Sequence, residues 1–155
     1  MLDDISLNIL KILQKKARIP NVEVARQVDM APSAVLERIR KLEQKGFIDG
    51  YEVRLNPGKF KRNLVAFITI VTSAREAAMP TGKLLTAIPE IQEVHHITGK
   101  DGFLVKVRVS DVAELGTLIQ DKILKIAGVE KTHTAIAMST FKETARIPID
   151  THDTA

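Results

Sequence analysis

Apolar residues recur at helical spacing through the first third of the chain: Ile5, Ile9, Ile12 and Leu13, then Val22, Val24, Ala25 and Val28, then Val35, Ile39 and Leu42. A stripe of this period lets a helix bury one face and leave the other in water, so three amphipathic helices are predicted. Their ends are marked as well. Asp3 or Asp4 can cap the first, Pro20 and Asn21 separate it from the second with Asn21 as the cap, and Gly46 follows the third. Only Asp29, Met30 and Ala31 lie between the second and third helices. Pro32 then takes the first helical position, where its fixed φ and missing N–H cost nothing. Two helices joined by so short a turn form a helix-turn-helix.

Beyond Gly46 the period changes. Tyr51, Val53 and Leu55 alternate with Glu52 and Arg54, as in a short half-buried strand, and Asn56-Pro57-Gly58 ends it at a hinge. The remaining pattern reads as a strand over 64–72, a short helix over 80–87, a strand over 91–98, a turn over 99–102, a strand over 103–109, a helix over 111–126 and a strand over 129–141. The order βαββαβ is that of a ferredoxin-like sandwich. The expected fold is therefore α+β: a three-helix, winged-helix-like helix-turn-helix followed by a ferredoxin-like domain. Domain bounds are set at 1–50 for the helices, 51–63 for the hinge strand and linker, 64–143 for the sandwich and 144–155 for a tail. Residues 145–149 could add an edge strand, and residues 150–155 read as frayed.

The first strand of the sandwich is apolar on both faces. Val65, Phe67 and Val71 point one way, and Leu64, Ala66, Ile68 and Ile70 the other. Helices cover only one face of such a sheet, so the second is expected to pack against another subunit.

Composition adds little until it is localised. Apolar residues make up 45% and charged residues 27% of the 155 positions, the balance of an ordinary globular protein. The formal net charge of +4 is compatible with a polyanionic partner but too small to establish one. Local clusters carry more: Lys11, Lys15, Lys16 and Arg18; Arg38, Arg40 and Lys41; Lys59, Lys61 and Arg62. With no cysteine, disulfides, thiolate metal sites and cysteine nucleophiles are excluded. Asp3, Asp4, Asn8 and Lys11 interrupt the N-terminal apolar run, unlike a signal peptide, and no stretch is long enough to span a bilayer. The expectation is a cytoplasmic protein without a membrane partner.

In a helix-turn-helix the second helix enters the major groove and presents its N-terminal residues to base edges. Here Val35, Ile39 and Leu42 commit one side of that helix to the core, while Ser33, Ala34, Glu37, Arg38, Arg40 and Lys41 project around the rest. Small Ser33 and Ala34 permit close approach, and Ala34 could meet a thymine methyl. Arg38 and Lys41 could reach phosphate or guanine, and Glu37 could accept from cytosine. With Asn21 and Pro32 at the helix starts, these form the candidate surface for double-stranded DNA. A competing reading keeps the same charges as a solvated face of a protein-interaction adaptor.

These segments resemble the Lrp/AsnC family of feast/famine regulators over nearly the whole chain. The resemblance lies in Leu2-Asp3 with Ile9-Leu10, in residues 33–43 followed by Gly46-Phe47-Ile48-Asp49-Gly50-Tyr51, and in His96-Ile97-Thr98-Gly99 before a strand. It implies bacterial or archaeal transcription regulation and dimers that associate into tetramers, octamers or larger discs. It also implies an amino-acid effector held between subunits, with His96, Thr98, Gly99, Lys100, Asp101, Gly102 and Thr134 as the candidate effector residues. Three departures stand out. Asp29-Met30-Ala31 replaces the family's Gly-Leu-Ser, and Asp29 tolerates the left-handed conformation that turn needs. Ala31 cannot cap the reading helix, a loss of about 1 kcal/mol that Pro32 partly offsets. Gly99-Lys100-Asp101-Gly102 replaces a Gly-Asp-Tyr-Asp-like turn, so the family's acid falls on Gly102 and Asp101 is its candidate substitute.

No catalytic string is present: no phosphate-binding loop, dinucleotide fingerprint, nucleophile elbow or paired-histidine zinc motif. His95 and His96 point to opposite faces of one strand and cannot chelate one metal together, although His133 could approach either across the sheet. No catalytic residue, metal or cofactor is assigned beyond the small-molecule effector. Some proteins of similar two-part architecture are tetrapyrrole side-chain decarboxylases. That reading requires a large pocket and ligating histidines, whereas the basic reading helix favours DNA.

Overall fold

The computed structural model describes residues 2–73, 78–99 and 102–149. The chain divides into two compact units, Met1–Arg54 with Glu143–Ala155, and Leu55–Lys142.

The first unit holds three helices, α1 (Asp4–Lys15), α2 (Asn21–Val28) and α3 (Pro32–Gln44). Ile9, Val24 and Val35 are fully buried at its centre, joined by Leu10, Leu13, Ala25, Ile39 and Leu42. Each of the buried valine, leucine and isoleucine side chains contributes about 1.5–3 kcal/mol by leaving water. Asp3 caps α1 by accepting from the Ser6 N–H at 2.9 Å. Asp29 ends α2 in the left-handed region at φ 52°, and Gly46 follows α3 at φ 72°.

The cap of α2 differs from expectation. Pro20 occupies the N-cap position at φ −61°, ψ 139°, no side chain caps the helix, and Asn21 is its first residue. A cap residue must be extended, and Pro20, with φ fixed by its ring, meets that requirement and leaves Asn21 inside the first turn. Ala31 caps α3 with its backbone alone. The expected strand over 51–55 is not formed: among the described residues no strand pairs with it, and Val53 is 84% exposed.

The second unit opens with a 3₁₀ turn, Pro57–Phe60, held by the Asn56 side chain, which accepts from Gly58 N–H at 3.0 Å. It continues through β1 (Leu64–Thr72), α4 (Ala78–Thr86), β2 (Ile91–His96), β3 (Gly102–Val109), α5 (Val112–Thr117), a π-helical segment (Leu118–Ile123) and β4 (Val129–Ile136). The strands form one antiparallel sheet in the order β2-β3-β1-β4, the ferredoxin-like arrangement. Its helix-covered face supplies Ala66, Ile68, Ile70, Phe103, Val105, Val107 and Val109 to a core closed by Leu85, Leu115, Leu118 and Ile123.

The helix expected over 111–126 changes period part-way. Leu124 N–H reaches back five residues to the Ile119 carbonyl at 2.9 Å, and the five-residue step from buried Leu118 to buried Ile123 matches that wider turn. β4 ends at Ile136 rather than at 141: Ala137 N–H makes a last bond to the Val65 carbonyl at 2.9 Å, and beyond it Met138 and Phe141 are almost wholly exposed.

Residues 145–149 add no edge strand. Instead Ile147 exchanges two hydrogen bonds with the Gln14 side chain, at 2.9 and 3.1 Å, and Arg146 donates to the Lys15 carbonyl at 3.3 Å. Ile149 packs on the helical core of the same unit. The expectation for residues 150–155 lies outside the described residues.

Candidate nucleic-acid interface and effector turn

Along α3 the side chains sort by what they touch. Val35, Ile39 and Leu42 are buried. Ser33, Glu37, Arg40 and Lys41 are exposed, as is Pro32 at the helix start, and these four polar side chains form no hydrogen bond or ion pair among the described residues. Ala34 is half-buried on the flank.

Arg38 behaves differently from its basic neighbours. Its guanidinium donates to both Asp3 carboxylate oxygens, at 2.6 and 2.9 Å, and to the Ser6 hydroxyl at 3.0 Å. The Ser6 hydroxyl and N–H, with Arg38, hold the Asp3 carboxyl at about 2. Arg38 thus ties the reading helix to the start of α1, a placement that spacing alone did not reveal. The Tyr51 hydroxyl donates to Glu43 at 2.9 Å and steadies the chain leaving α3.

At the other site, Gly102 begins β3 at φ 109°. A Cβ there would lie 2.9 Å from Thr72 Oγ1 and 3.1 Å from the Ile70 carbonyl, so any side chain at this position would be strained and would press on β1. Gly102 serves as a backbone pivot, and its carbonyl accepts from Ile97 N–H at 2.9 Å. Gly99 is also left-handed, at φ 111°, but in open space. Lys100 and Asp101 lie outside the described residues.

His96 sits at the end of β2 with its ring 5.1 Å from that of Phe103, and Thr98 follows it, exposed. Thr134 is exposed on β4, opposite Ile68. His96 and Thr134 lie on the two edge strands with β3 and β1 between them, three strand spacings of about 4.8 Å each apart. One small molecule cannot touch both within one chain. His95 and His133 are separated in the same way at opposite ends of a row through Leu104 and Thr69, so His133 approaches neither neighbouring histidine. Among the described residues no cluster of three or more metal-ligating side chains occurs.

The chain matches two family models. Residues 65–147 match the Lrp/AsnC ligand binding domain, and residues 2–49 match a winged helix-turn-helix DNA-binding domain. The chain belongs to the Lrp/AsnC family. The leucine-responsive regulatory protein of Escherichia coli K12 is 38% identical over 152 residues, 97% of this chain and 93% of that one. A transcriptional regulator of Neisseria meningitidis, solved with L-methionine, superposes at a TM-score of 0.91 with 26% identity over 97% of this chain and 98% of that one. A feast or famine regulatory protein of M. tuberculosis, also solved with L-methionine, gives 0.88 with 29% identity over 97% and 100%. As an Lrp/AsnC protein the chain is a DNA-binding transcriptional regulator with a ligand-binding domain, and not an enzyme. The decarboxylase and adaptor readings give way to that assignment. No helix among the described residues is long and apolar enough to cross a membrane.

Proposed function

We propose that the protein regulates transcription by reading a two-fold symmetric DNA duplex with α3, as a dimer or larger assembly whose binding changes when an amino acid is captured between subunits. The observation that carries the DNA surface is the division of α3. Its apolar side is committed to the core and Arg38 to Asp3, while Ser33, Glu37, Arg40 and Lys41 are exposed and without partners among the described residues. Pro32, Ala34 and Asn21 lie at or near the helix starts that would approach the backbone.

Two features support an effector shared between subunits. The candidate residues His96 and Thr134 stand on opposite sheet edges, which favours a site that a second chain completes. Gly102 has no side chain to offer, and the reading gives the role of meeting an ammonium group to Asp101, with Thr98, Gly99 and Lys100 next to it in sequence. An amino acid is the class chosen because two structural relatives were solved with L-methionine. The sheet face away from the helices carries Phe67, 40% exposed, and is the surface assigned to the dimer.

The test combines selection of duplexes from a random pool, a salt series and calorimetry against the twenty amino acids. Lys41→Ala should lower the salt slope by about one per half-site without changing sequence preference. A parent protein that enriches no duplex at low salt overturns the DNA reading. Calorimetric silence towards every amino acid, with an unchanged assembly state, overturns the effector reading.

A further inference from the structure

We propose that Leu36 is a specificity-determining residue of the reading helix, and that its target is the C5-methyl group of a thymine in the major groove. This rests on the reading of α3 as the DNA-contacting helix and extends it to an apolar side chain.

Leu36 is 37% exposed and belongs to no part of the helical core, although the adjacent Val35 is fully buried. At about 100° per residue it lies about 40° from Arg40 and about 60° from Ser33, on the flank of α3 just outside the buried arc of Val35, Ile39 and Leu42. A single exposed leucine is ordinary on a protein surface. Its placement here is not, because it falls in the first turn and a half of the helix, the stretch that a helix-turn-helix offers to base edges.

Flanking Ser33 and Arg40 can be satisfied by base edges, phosphates or water. Leu36 can gain only from an apolar surface. The thymine methyl is the apolar group displayed on the base edges of the major groove. Ala34, the other apolar residue of this segment, is half-buried and shorter, so it reaches less far from the helix axis.

The experiment uses the full chain and duplexes selected from a random pool. Each thymine of the selected site is replaced in turn by uracil, which lacks only the 5-methyl group, and affinity is read by fluorescence anisotropy. One thymine per half-site should be sensitive. Its replacement should weaken binding about fourfold, the equivalent of about 0.8 kcal/mol for one methyl leaving an apolar contact, and about fifteenfold when both half-sites are changed. The same uracil should be silent with Leu36→Ala, whose exposed position leaves the fold intact by circular dichroism, and should still register with Leu36→Met, which keeps an apolar side chain. A parent indifferent to every uracil, or an undiminished uracil penalty in Leu36→Ala, would overturn the proposal while leaving α3 as the DNA-reading helix. A parent that selects no duplex overturns the DNA reading and this proposal together.

Discussion

One carboxylate serves two helices: Asp3 caps α1 through Ser6 N–H and accepts from Arg38 of α3 at 2.6 Å. The orientation of the reading helix is therefore coupled to the first turn of the chain. Asp3→Ala removes the cap and the pair together and should cost about 1–2 kcal/mol in urea unfolding. Asp3→Asn keeps a capping oxygen and should cost less than Asp3→Ala. Arg38→Ala should weaken DNA binding evenly across sequences, because a residue that positions the helix has no base of its own. Relaxed preference at a single base position per half-site would instead make Arg38 a reader.

The same pair sets an acid response. Asp3 titrates at about 2 in the folded protein, below the ordinary 3.8, with Ser6 and Arg38 favouring its charged form. A depressed carboxyl stabilises the fold above the unfolded value, and that contribution disappears as pH falls through the folded one. Because Asp3 is half exposed, solvent screening limits the effect to about 1 kcal/mol or less. The stability gap between the parent and Asp3→Asn should be constant above about pH 5 and close between about pH 4 and 2. A gap that did not change over that window would mean that the pair adds nothing in solution.

Two glycines near the effector turn should respond unequally. Gly99→Ala meets only the backbone cost of φ 111°, about 1–2 kcal/mol, since no atom lies within 4 Å of the new Cβ. Gly102→Ala has that cost and also presses on Thr72 Oγ1 and the Ile70 carbonyl. It should lower the melting temperature further and disturb the pairing of β3 with β1. Equal losses in the two variants would show that the β1 contact relaxes freely.

Periodicity was sufficient for the elements that bury a face. Three helices and four strands fall where alternating or helical apolar positions put them, because burial of Ile9, Val35, Ile68 and Val105 fixes both period and register. It misled where an alternating segment has no partner: Tyr51, Val53 and Leu55 read as a strand yet stay exposed, since a ladder needs a second strand and none pairs with them among the described residues. The site was legible by angle alone. The arc that exposes Arg40 also exposes Leu36, which a search for charges passes over. Arg38 is set apart from Arg40 by its ion pair with a carboxylate 35 residues away in sequence, and no local pattern carries that information.

The two faces of β1 separate folding from assembly. Ile68 is fully buried under the helices and Phe67 is 40% exposed on the opposite face. Ile68→Asp places an uncompensated charge in the core and should unfold the domain, at a cost of several kcal/mol. Phe67→Asp should leave the domain folded but shift light scattering towards the monomer. A well-folded parent that is already monomeric at micromolar concentration would refute the dimer assigned to this face.

Near its C-terminal end the chain returns to the helical unit. Gln14 donates to the Ile147 carbonyl and accepts from its N–H, a reciprocal pair that only a side-chain amide can complete, and Ile149 covers part of the helical core two residues later. Each neutral bond contributes about 0.5–1.5 kcal/mol net, and the cost grows where a backbone group is left without a partner. Gln14→Ala should therefore lower stability by about 1–2 kcal/mol. Gln14→Glu retains the acceptor for Ile147 N–H but loses the donor and turns a carboxylate oxygen towards the Ile147 carbonyl, so it should be no better than alanine. Ile149→Ala acts through packing alone, and because both residues brace one segment its cost should combine with that of Gln14→Ala by less than full additivity. Hydrogen exchange at Ile147 N–H gives the direct readout: protection in the parent, lost in Gln14→Ala. Rapid exchange in the parent would mean that residues 145–149 do not hold to α1 in solution.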